Sequence, residues 1–296
     1  MILLTLNATD LLFLHQIKDK PKHVLQRYYF WSTEAQSIDQ RLEHLLSAGH
    51  LHESTHLATK LSQFTIPVIK ELLRAHDLKV SGNKDILLSR LHEYDGVIDL
   101  SHLQVESVYI VDESLQELME QTRFLVYMSM NGPLTIDDAY SFYLDHPTLT
   151  NSEVIIKLHE KVIASHQNTY QVIKCHLLLS DYYDKVHYIQ SKSLNHLNSF
   201  TLLIVLEAMR RYLEVTHTPG EIFFDIDNNT VEKYRSLLLM KQWTVSDLYQ
   251  GLLRAGENLP YSDKAITLAS QFIIRYIINS NKAEQELISG IKSGDD

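Results

Sequence analysis

Apolar side chains recur every three to four residues along most of the chain, the spacing that one buried face of a helix requires. Beyond residue 113 this pattern predicts successive helices that begin near residues 114, 135, 151, 168, 199, 244 and 262. Six prolines and nine glycines are few for a β-rich chain with many turns. The pattern therefore predicts an all-α protein, with a small N-terminal helical part and a larger helical-bundle or solenoid-like domain.

Residues 61–91 contain two apolar helical stretches, separated by a short segment in which apolar and polar residues alternate. Thr65 is a good N-cap for the first helix, and Ser81 is the predicted cap of the second. The apolar faces of the two helices are predicted to consist of Ile69, Leu72 and Leu73, and of Ile86, Leu87 and Leu91. Since a unit of fewer than about 40 residues rarely folds alone, we expect it to pack against neighbouring parts of the chain.

The start of the second helix has the chemistry of a phosphate contact. Its free backbone amides and its dipole attract anions, and Gly82 lets a phosphate approach the backbone closely. Four cationic side chains surround this point: Lys70, Arg74, Lys79 and Lys84. Such contacts position a protein on DNA without reading bases. The alternative is an ordinary helical hairpin with solvated lysines.

The same stretch resembles the SAP motif, a helix–extended turn–helix module of DNA-binding proteins. The matching residues are Thr65, Ile66, Lys70, Leu73, Leu78, Ser81, Gly82, Lys84, Leu87, Arg90 and Leu91. Asp77 replaces the usual glycine before the middle leucine, and Asp tolerates left-handed backbone better than most residues. The resemblance implies nucleic-acid binding and so supports the contact predicted from the residues themselves, at Lys70, Arg74, Lys79, Ser81, Gly82 and Lys84. It also extends weakly to SAP-containing proteins of Gram-positive bacteria and their phages.

The sequence suggests four regions. Residues 1–58 form an N-terminal helical region, 59–95 the SAP-like motif, 96–112 an irregular linker and 113–296 an acidic C-terminal helical domain. In the first region, a helix followed by Gly49 and a short apolar–polar tail is similar to the end of a winged-helix unit. The same pattern ends many other helices, so the winged-helix interpretation stays open beside a plain helical one.

Charge is distributed unevenly. The net charge is −10, with +2 in residues 1–91 and −12 in residues 92–296. A +3 patch at residues 60–91 neutralises few phosphates, so binding is expected to be modest and salt-sensitive. Cys175, the single cysteine, fits a reducing compartment. The N-terminal run resembles neither a signal peptide nor a membrane span, which predicts a cytoplasmic protein without membrane contact.

Other candidate chemistry is weaker. His52 and His56 have zinc-site spacing, but no cysteine or acidic pattern completes a site. Asp225, Asp227 and Asn229 resemble half of a calcium loop that lacks its glycine and final glutamate. Cys175 is expected to be a core residue. No motif for nucleotide binding, metalloprotease or hydrolase chemistry is present, so we expect no enzyme, cofactor or metal.

Two hypotheses from different classes follow. The first is a non-enzymatic DNA-binding protein, a bacterial or phage regulatory or accessory factor, whose helical domain oligomerises or binds a partner. The second is a protein-interaction scaffold, such as a phage–host inhibitor or its target, in which the SAP-like unit is only structural. An enzyme with a dispersed site would need a polar pocket with perturbed carboxylates. Packing of Lys70, Lys79 and Lys84 against acidic helices would favour the scaffold.

Overall fold

The structure is a computed structural model that describes residues 6–34, 36–54, 60–94, 106–165, 169–214, 226–240, 243–278 and 283–292. The chain divides into two compact units, unit 1 at residues 1–155 and unit 2 at residues 156–296. Both units are built mainly of helices, so the predicted all-α class is confirmed. The domain boundaries drawn from the sequence remain a prediction.

Unit 1 begins with three helices and a small sheet. The helices are α1 (Ala8–Ile17), α2 (Tyr29–Thr33) and α3 (Ile38–Ser47), and a 3-10 turn covers Lys22–Arg27. The strands are β1 (Lys20–Pro21), β2 (Leu51–Glu53) and β3 (Val108–Val111), in the order β1-β3-β2 with antiparallel pairing. Next in chain order after β2 come α4 (Ile66–Ala75) and α5 (Lys84–His92). The chain then returns to the sheet as β3.

The rest of unit 1 is helical. A 3-10 turn at Glu113–Leu115 leads into α6 (Gln116–Gln121), α7 (Phe124–Asn131), α8 (Ile136–Asp145) and α9 (Asn151–Ser165), which crosses the unit boundary. Helices α7 and α8 pack on α1, whose Leu11, Leu12, Phe13 and Leu14 are all fully buried. Helix α1 is therefore the core helix of unit 1, covered on several sides.

Two polar contacts within unit 1 fix α2 and α3 against α1. The Trp31 indole of α2 donates to Gln16 Oε1 at 2.6 Å, and its ring meets Phe13 edge-on. The Arg41 guanidinium of α3 forms an ion pair with Asp10, and both side chains are less than a tenth exposed. Since buried charges require partners, this pair sets the orientation of α3.

Unit 2 is a bundle around one long helix. Its members are the end of α9, α10 (Thr169–Lys185), α11 (Gln190–Glu214), α12 (Asn228–Met240), α13 (Val245–Gly256), α14 (Asp263–Ile277) and α15 (Ala283–Lys292). Helix α11 contacts α10, α13 and α14. Tyr234 of α12 is fully buried and donates to Asn198 Oδ1 at 3.0 Å. Cys175 is buried in this bundle, as predicted, and burial raises the pKa of its thiol to about 11.

Two features of the fold add to the sequence interpretation. The segment 96–112, predicted to be a linker with short extended pieces, contains the central strand β3, while its residues 96–105 lie outside the described residues. The acidic excess belongs to residues 92–155, with one Arg against 12 acidic residues, whereas residues 156–296 hold 15 basic and 16 acidic residues. Unit 2 is consequently close to neutral.

No helix in the described ranges has the length and apolar character that a membrane crossing requires.

The stability of unit 1 is expected to depend on pH through His15. Its Nε2 lies 3.1 Å from Thr122 Oγ1, and burial lowers the pKa of His15 from 6.5 to about 4. Since the unfolded chain holds this proton more tightly, the free energy of unfolding should fall as pH decreases between these values. The loss amounts to about 3 kcal/mol for a shift of this size.

Urea unfolding at several pH values measures this dependence. Trp31 reports on unit 1 once the other tryptophan is removed by Trp243→Phe, and His15→Gln should flatten the profile. The control is His146→Gln, because His146 is exposed in the same unit. An unchanged pH profile in His15→Gln would show that another group causes the acid loss.

Candidate nucleic-acid interface

Residues 60–94, here called the paired-helix segment, are held together by their own apolar core. The fully or almost fully buried members are Leu61, Ile69, Leu72, Leu73, Leu87, Leu88 and Leu91. Leu78 and Val80 of the extended turn pack against this cluster. The predicted apolar face of α4 is therefore confirmed. The prediction for α5 was wrong at Ile86, which is 48% exposed, and Leu88 takes that place in the core.

Asp77 ends α4 in the left-handed conformation that the sequence predicted it to tolerate, with a φ of 56°. The amide of Leu78 donates to Leu73 O at 2.8 Å, and the amide of Asp77 donates to Arg74 O at 3.1 Å. This pair of bonds is a Schellman motif, accompanied by the usual apolar contact between Leu78 and the helix. The motif turns the chain sharply into the extended segment that carries Lys79.

Arg90 fixes the extended turn from the side of α5. Its guanidinium donates to the carbonyl oxygen of Lys79 and, at 3.2 Å, to that of Ser81. These bonds satisfy carbonyl groups that have no strand partner, and thereby hold the turn in one shape. The sequence showed Arg90 only as a matching residue, since a side chain that binds backbone eleven positions away leaves no local pattern.

Helix α5 begins at Lys84, two residues later than a cap at Ser81 predicted. Asn83, and not Ser81, is the N-cap, because its Oδ1 accepts a hydrogen bond from the Ile86 amide at 3.0 Å. Gly82 has a φ of 129°, and a Cβ there would lie 2.7 Å from Ile86 Cγ2. Gly82 and Ser81 are both exposed, so the backbone at the start of α5 is open to solvent.

The predicted cations divide into two groups. Lys84 is half-buried and donates to the carbonyl oxygen of Ser62 at 2.6 Å, so it also joins α5 to the beginning of the segment. Arg74 and Lys79 are exposed and Lys70 is half-exposed. Within the described ranges no carboxylate forms an ion pair with these three, including those of the acidic residues 106–155. Their charges are therefore available to an external anion.

A reciprocal amide contact anchors the segment to the sheet of unit 1. Gln63 Nε2 donates to Glu106 O at 3.1 Å, and the Glu106 amide donates to Gln63 Oε1 at 3.3 Å. Just before the segment, the Ser54 amide donates to Val108 O at 2.7 Å. The paired-helix segment is thus bonded to neighbouring parts of the chain, as its size led us to expect.

The family comparison agrees with this geometry. Residues 60–96 match the family model of the SAP domain. These residues form a SAP domain. Searches of curated proteins and of solved structures found no match to the chain. The SAP domain indicates DNA or other nucleic-acid binding in general terms, while kinship with bacterial or phage proteins remains a prediction.

The weaker candidates from the sequence do not assemble into a site among the described residues. His52 Nε2 lies 3.1 Å from Asp112 Oδ2, and His56 falls outside the described ranges. Asp227 caps α12 by accepting from the Thr230 amide at 3.0 Å, and Asp225 also falls outside those ranges. No group of three or more His, Cys, Asp or Glu side chains within the described ranges could hold a metal ion.

Substitution of Asp77 separates its charge from its backbone conformation. Asp77→Asn should raise DNA affinity a few-fold with little change in stability, because it removes a negative charge near Lys79 and still tolerates left-handed backbone. Asp77→Gly should give the same gain in affinity and add about 1 kcal/mol to the stability of the SAP domain, by relieving the φ strain. Fluorescence anisotropy with labelled duplex and hydrogen exchange within residues 60–94 measure the two effects.

An exposed carboxylate elsewhere in the SAP domain provides the comparison. Glu71→Gln removes the same charge from α4. If Asp77→Asn gains no affinity at low salt, the extended turn does not lie near the phosphate backbone.

Proposed function

We propose that this protein is a non-enzymatic DNA-binding accessory or regulatory factor that grips the phosphate backbone through its SAP domain. The observation that carries the proposal is the exposed cationic edge of that domain. Lys79 is carried by a turn that Arg90 fixes, and Arg74 and Lys70 lie on the helix that precedes it. The open backbone around Gly82 completes the surface. Rigid cations beside a helix N-terminus are suited to phosphate contacts.

The affinity of the SAP domain for the phosphate backbone follows from its charge. Each phosphate neutralised on duplex DNA contributes about −0.9 to the slope of log affinity against log salt. Lys70, Arg74 and Lys79 together predict a slope of about −3, with micromolar or weaker affinity at physiological salt. Asp77 and Asp85 lie nearby in sequence and reduce the local potential. The protein therefore acts best beside a second DNA contact or within an assembly.

Unit 2 is proposed to supply the assembly, through self-association or a protein partner. The support is three large apolar side chains that are each more than three-quarters exposed and could be buried by a partner: Leu239, Tyr188 and Tyr170. Unit 2 is almost neutral, so it adds little to the attraction for DNA.

Binding of the full-length protein to a labelled random-sequence duplex of about 20 base pairs tests the proposal. We expect anisotropy to show binding at about 50 mM salt that weakens steadily as salt is added. The triple variant Lys70→Gln/Arg74→Gln/Lys79→Gln should lose most of that binding. The matched control neutralises three exposed cations of unit 2: Lys174→Gln/Lys192→Gln/Lys264→Gln. Absence of wild-type binding at low salt would favour the scaffold hypothesis.

A further inference from the structure

We propose that the exposed face of α3 contacts base edges in the major groove of the DNA that the SAP domain holds. This inference rests on the proposed function and adds a second contact with a different task. The SAP domain would supply affinity for any duplex. Helix α3 would supply preference among sequences.

The order of elements in unit 1 carries the first part of the argument. Helix α2 ends at Thr33 and α3 begins at Ile38, so the two helices are joined by a short turn. Strand β2 begins at Leu51 and pairs with β3, while β1 closes the other side of β3. A short turn between two helices, the second of which presents a polar face, is the arrangement of helix–turn–helix DNA readers. The open winged-helix interpretation of the sequence fits this order.

The packing of α3 determines which face remains outside. Leu42 and Leu45 are buried, and Arg41 is buried in its ion pair with Asp10 on α1. Polar side chains form a nearly flat, solvent-open surface on the opposite face of α3 and just before the helix: Gln36, Gln40, Glu43, His44 and Ser47. Because Arg41 fixes the rotation of α3, this polar face is held towards solvent. Reading bases requires such a preorganised face.

The chemistry of that face suits base edges and not phosphates. Amide groups pair with adenine, carboxylates accept from cytosine, and hydroxyl or imidazole groups bond to several bases. Arg41 is the only Lys or Arg of α3 and is not exposed, so the helix neutralises no phosphate. Glu43 would repel a phosphate, which disfavours adsorption along the backbone. Gln40 Oε1 is already used by the Ser37 amide, at 3.1 Å, and only its NH₂ group remains available.

The position of the SAP domain in the chain supplies what α3 lacks. The domain lies between β2, the strand that follows α3, and β3. Ser54, next to β2, bonds to Val108 of β3, and Gln63 within the domain bonds to Glu106, two residues before β3. Backbone contacts position a protein on DNA, and base contacts specify the sequence. The cationic SAP domain is inserted between the two strands that come after α3, which has no exposed cation. The two tasks are thereby divided between neighbouring parts of unit 1.

Photocrosslinking from single cysteines tests the contact. Cys175 is buried, so an azidophenacyl label can be directed to an introduced cysteine in the full-length protein. We expect His44→Cys to crosslink to bases of a random-sequence duplex, and Ser81→Cys to crosslink near the backbone. Adducts from Ser81→Cys without adducts from His44→Cys would overturn the α3 contact and leave the proposed function standing. Absence of adducts from both would overturn both.

Selection of bound duplexes from a random library provides the second measurement. Wild-type protein should enrich a common sequence element. The variant Gln36→Ala/Glu43→Ala/His44→Ala should lose that enrichment and keep its affinity for bulk DNA within about threefold, because it retains the SAP cations. The SAP triple variant should instead lose affinity for all sequences. Equal enrichment by wild type and the α3 variant would overturn the inference.

Discussion

Arg41→Met is expected to destabilise unit 1 by about 3–5 kcal/mol, the cost of leaving one partner of a buried ion pair uncompensated. Asp10 would remain in a site where its side chain is 5% exposed. Asp10 also belongs to the capping box of α1, so its carboxylate cannot turn to solvent without losing the Asn7 amide bond. The measurement is urea unfolding followed through Trp31 in the Trp243→Phe background.

The matched control uses an exposed ion pair in the same unit. Arg123 pairs with Glu120, with side chains 66% and 56% exposed. Arg123→Met should cost less than about 1 kcal/mol, since solvent screens such a pair. Equal effects of the two substitutions would mean that the Asp10–Arg41 contact does not support α3. A loss of stability that appears only for Arg41→Met confirms the buried pair as the contact that orients this helix.

Gly82→Ala is expected to loosen the SAP domain and reduce DNA affinity at least tenfold. The residue has a φ of 129°, and the added Cβ would lie 2.9 Å from Ile86 Cβ, which cannot move without shifting α5. Strained backbone of this kind costs about 1–3 kcal/mol before the steric contact is included. Because the domain has a small core, the loss should appear as faster hydrogen exchange at Leu87 and Leu91. The remainder of unit 1 should be unaffected.

Gly49 offers a control with positive φ and open surroundings. Its φ is 72°, and a Cβ there would meet nothing within 4 Å, so Gly49→Ala should cost only about 1 kcal/mol. The double variant Gly82→Ala/Ile86→Ala removes the 2.7 Å contact with Ile86 Cγ2 but keeps the contact with Cβ and the backbone strain, and should recover part of the loss. If Gly82→Ala exchanges amides no faster than wild type, the turn does not depend on glycine.

The SAP domain was predictable from sequence in its main features because they are local. The apolar spacing of Ile69, Leu72 and Leu73 defines α4, and Asp77 occupies the one position where left-handed backbone was expected. The burial of Leu88 in place of Ile86 could not be predicted, because the position of Ile86 beside Gly82 depends on the conformation of the turn. Asn83 was missed as the cap because Ser81 and Asn83 are equally good candidates by residue type.

Contacts between residues that are distant along the chain could not be predicted from the sequence. The pairing of strand β3 was not predicted, since its partners β1 and β2 lie far away in the chain and are only two and three residues long. The ion pair between Arg41 and Asp10 left no local pattern, since Asp10 lies 31 positions earlier. The location of the acidic excess could be counted from the sequence, but its assignment to unit 1 needed the structure. Charge composition alone had placed it in the C-terminal domain.

The central claim is that the exposed cations of the SAP domain hold the phosphate backbone. The most direct measurement is the slope of log affinity against log salt for wild type and for Lys79→Gln, with Lys264→Gln of unit 2 as the control. The account predicts that Lys79→Gln weakens binding to all duplexes and makes the slope less steep by about 0.9, while the control leaves it unchanged. Identical slopes for wild type and Lys79→Gln would contradict the account.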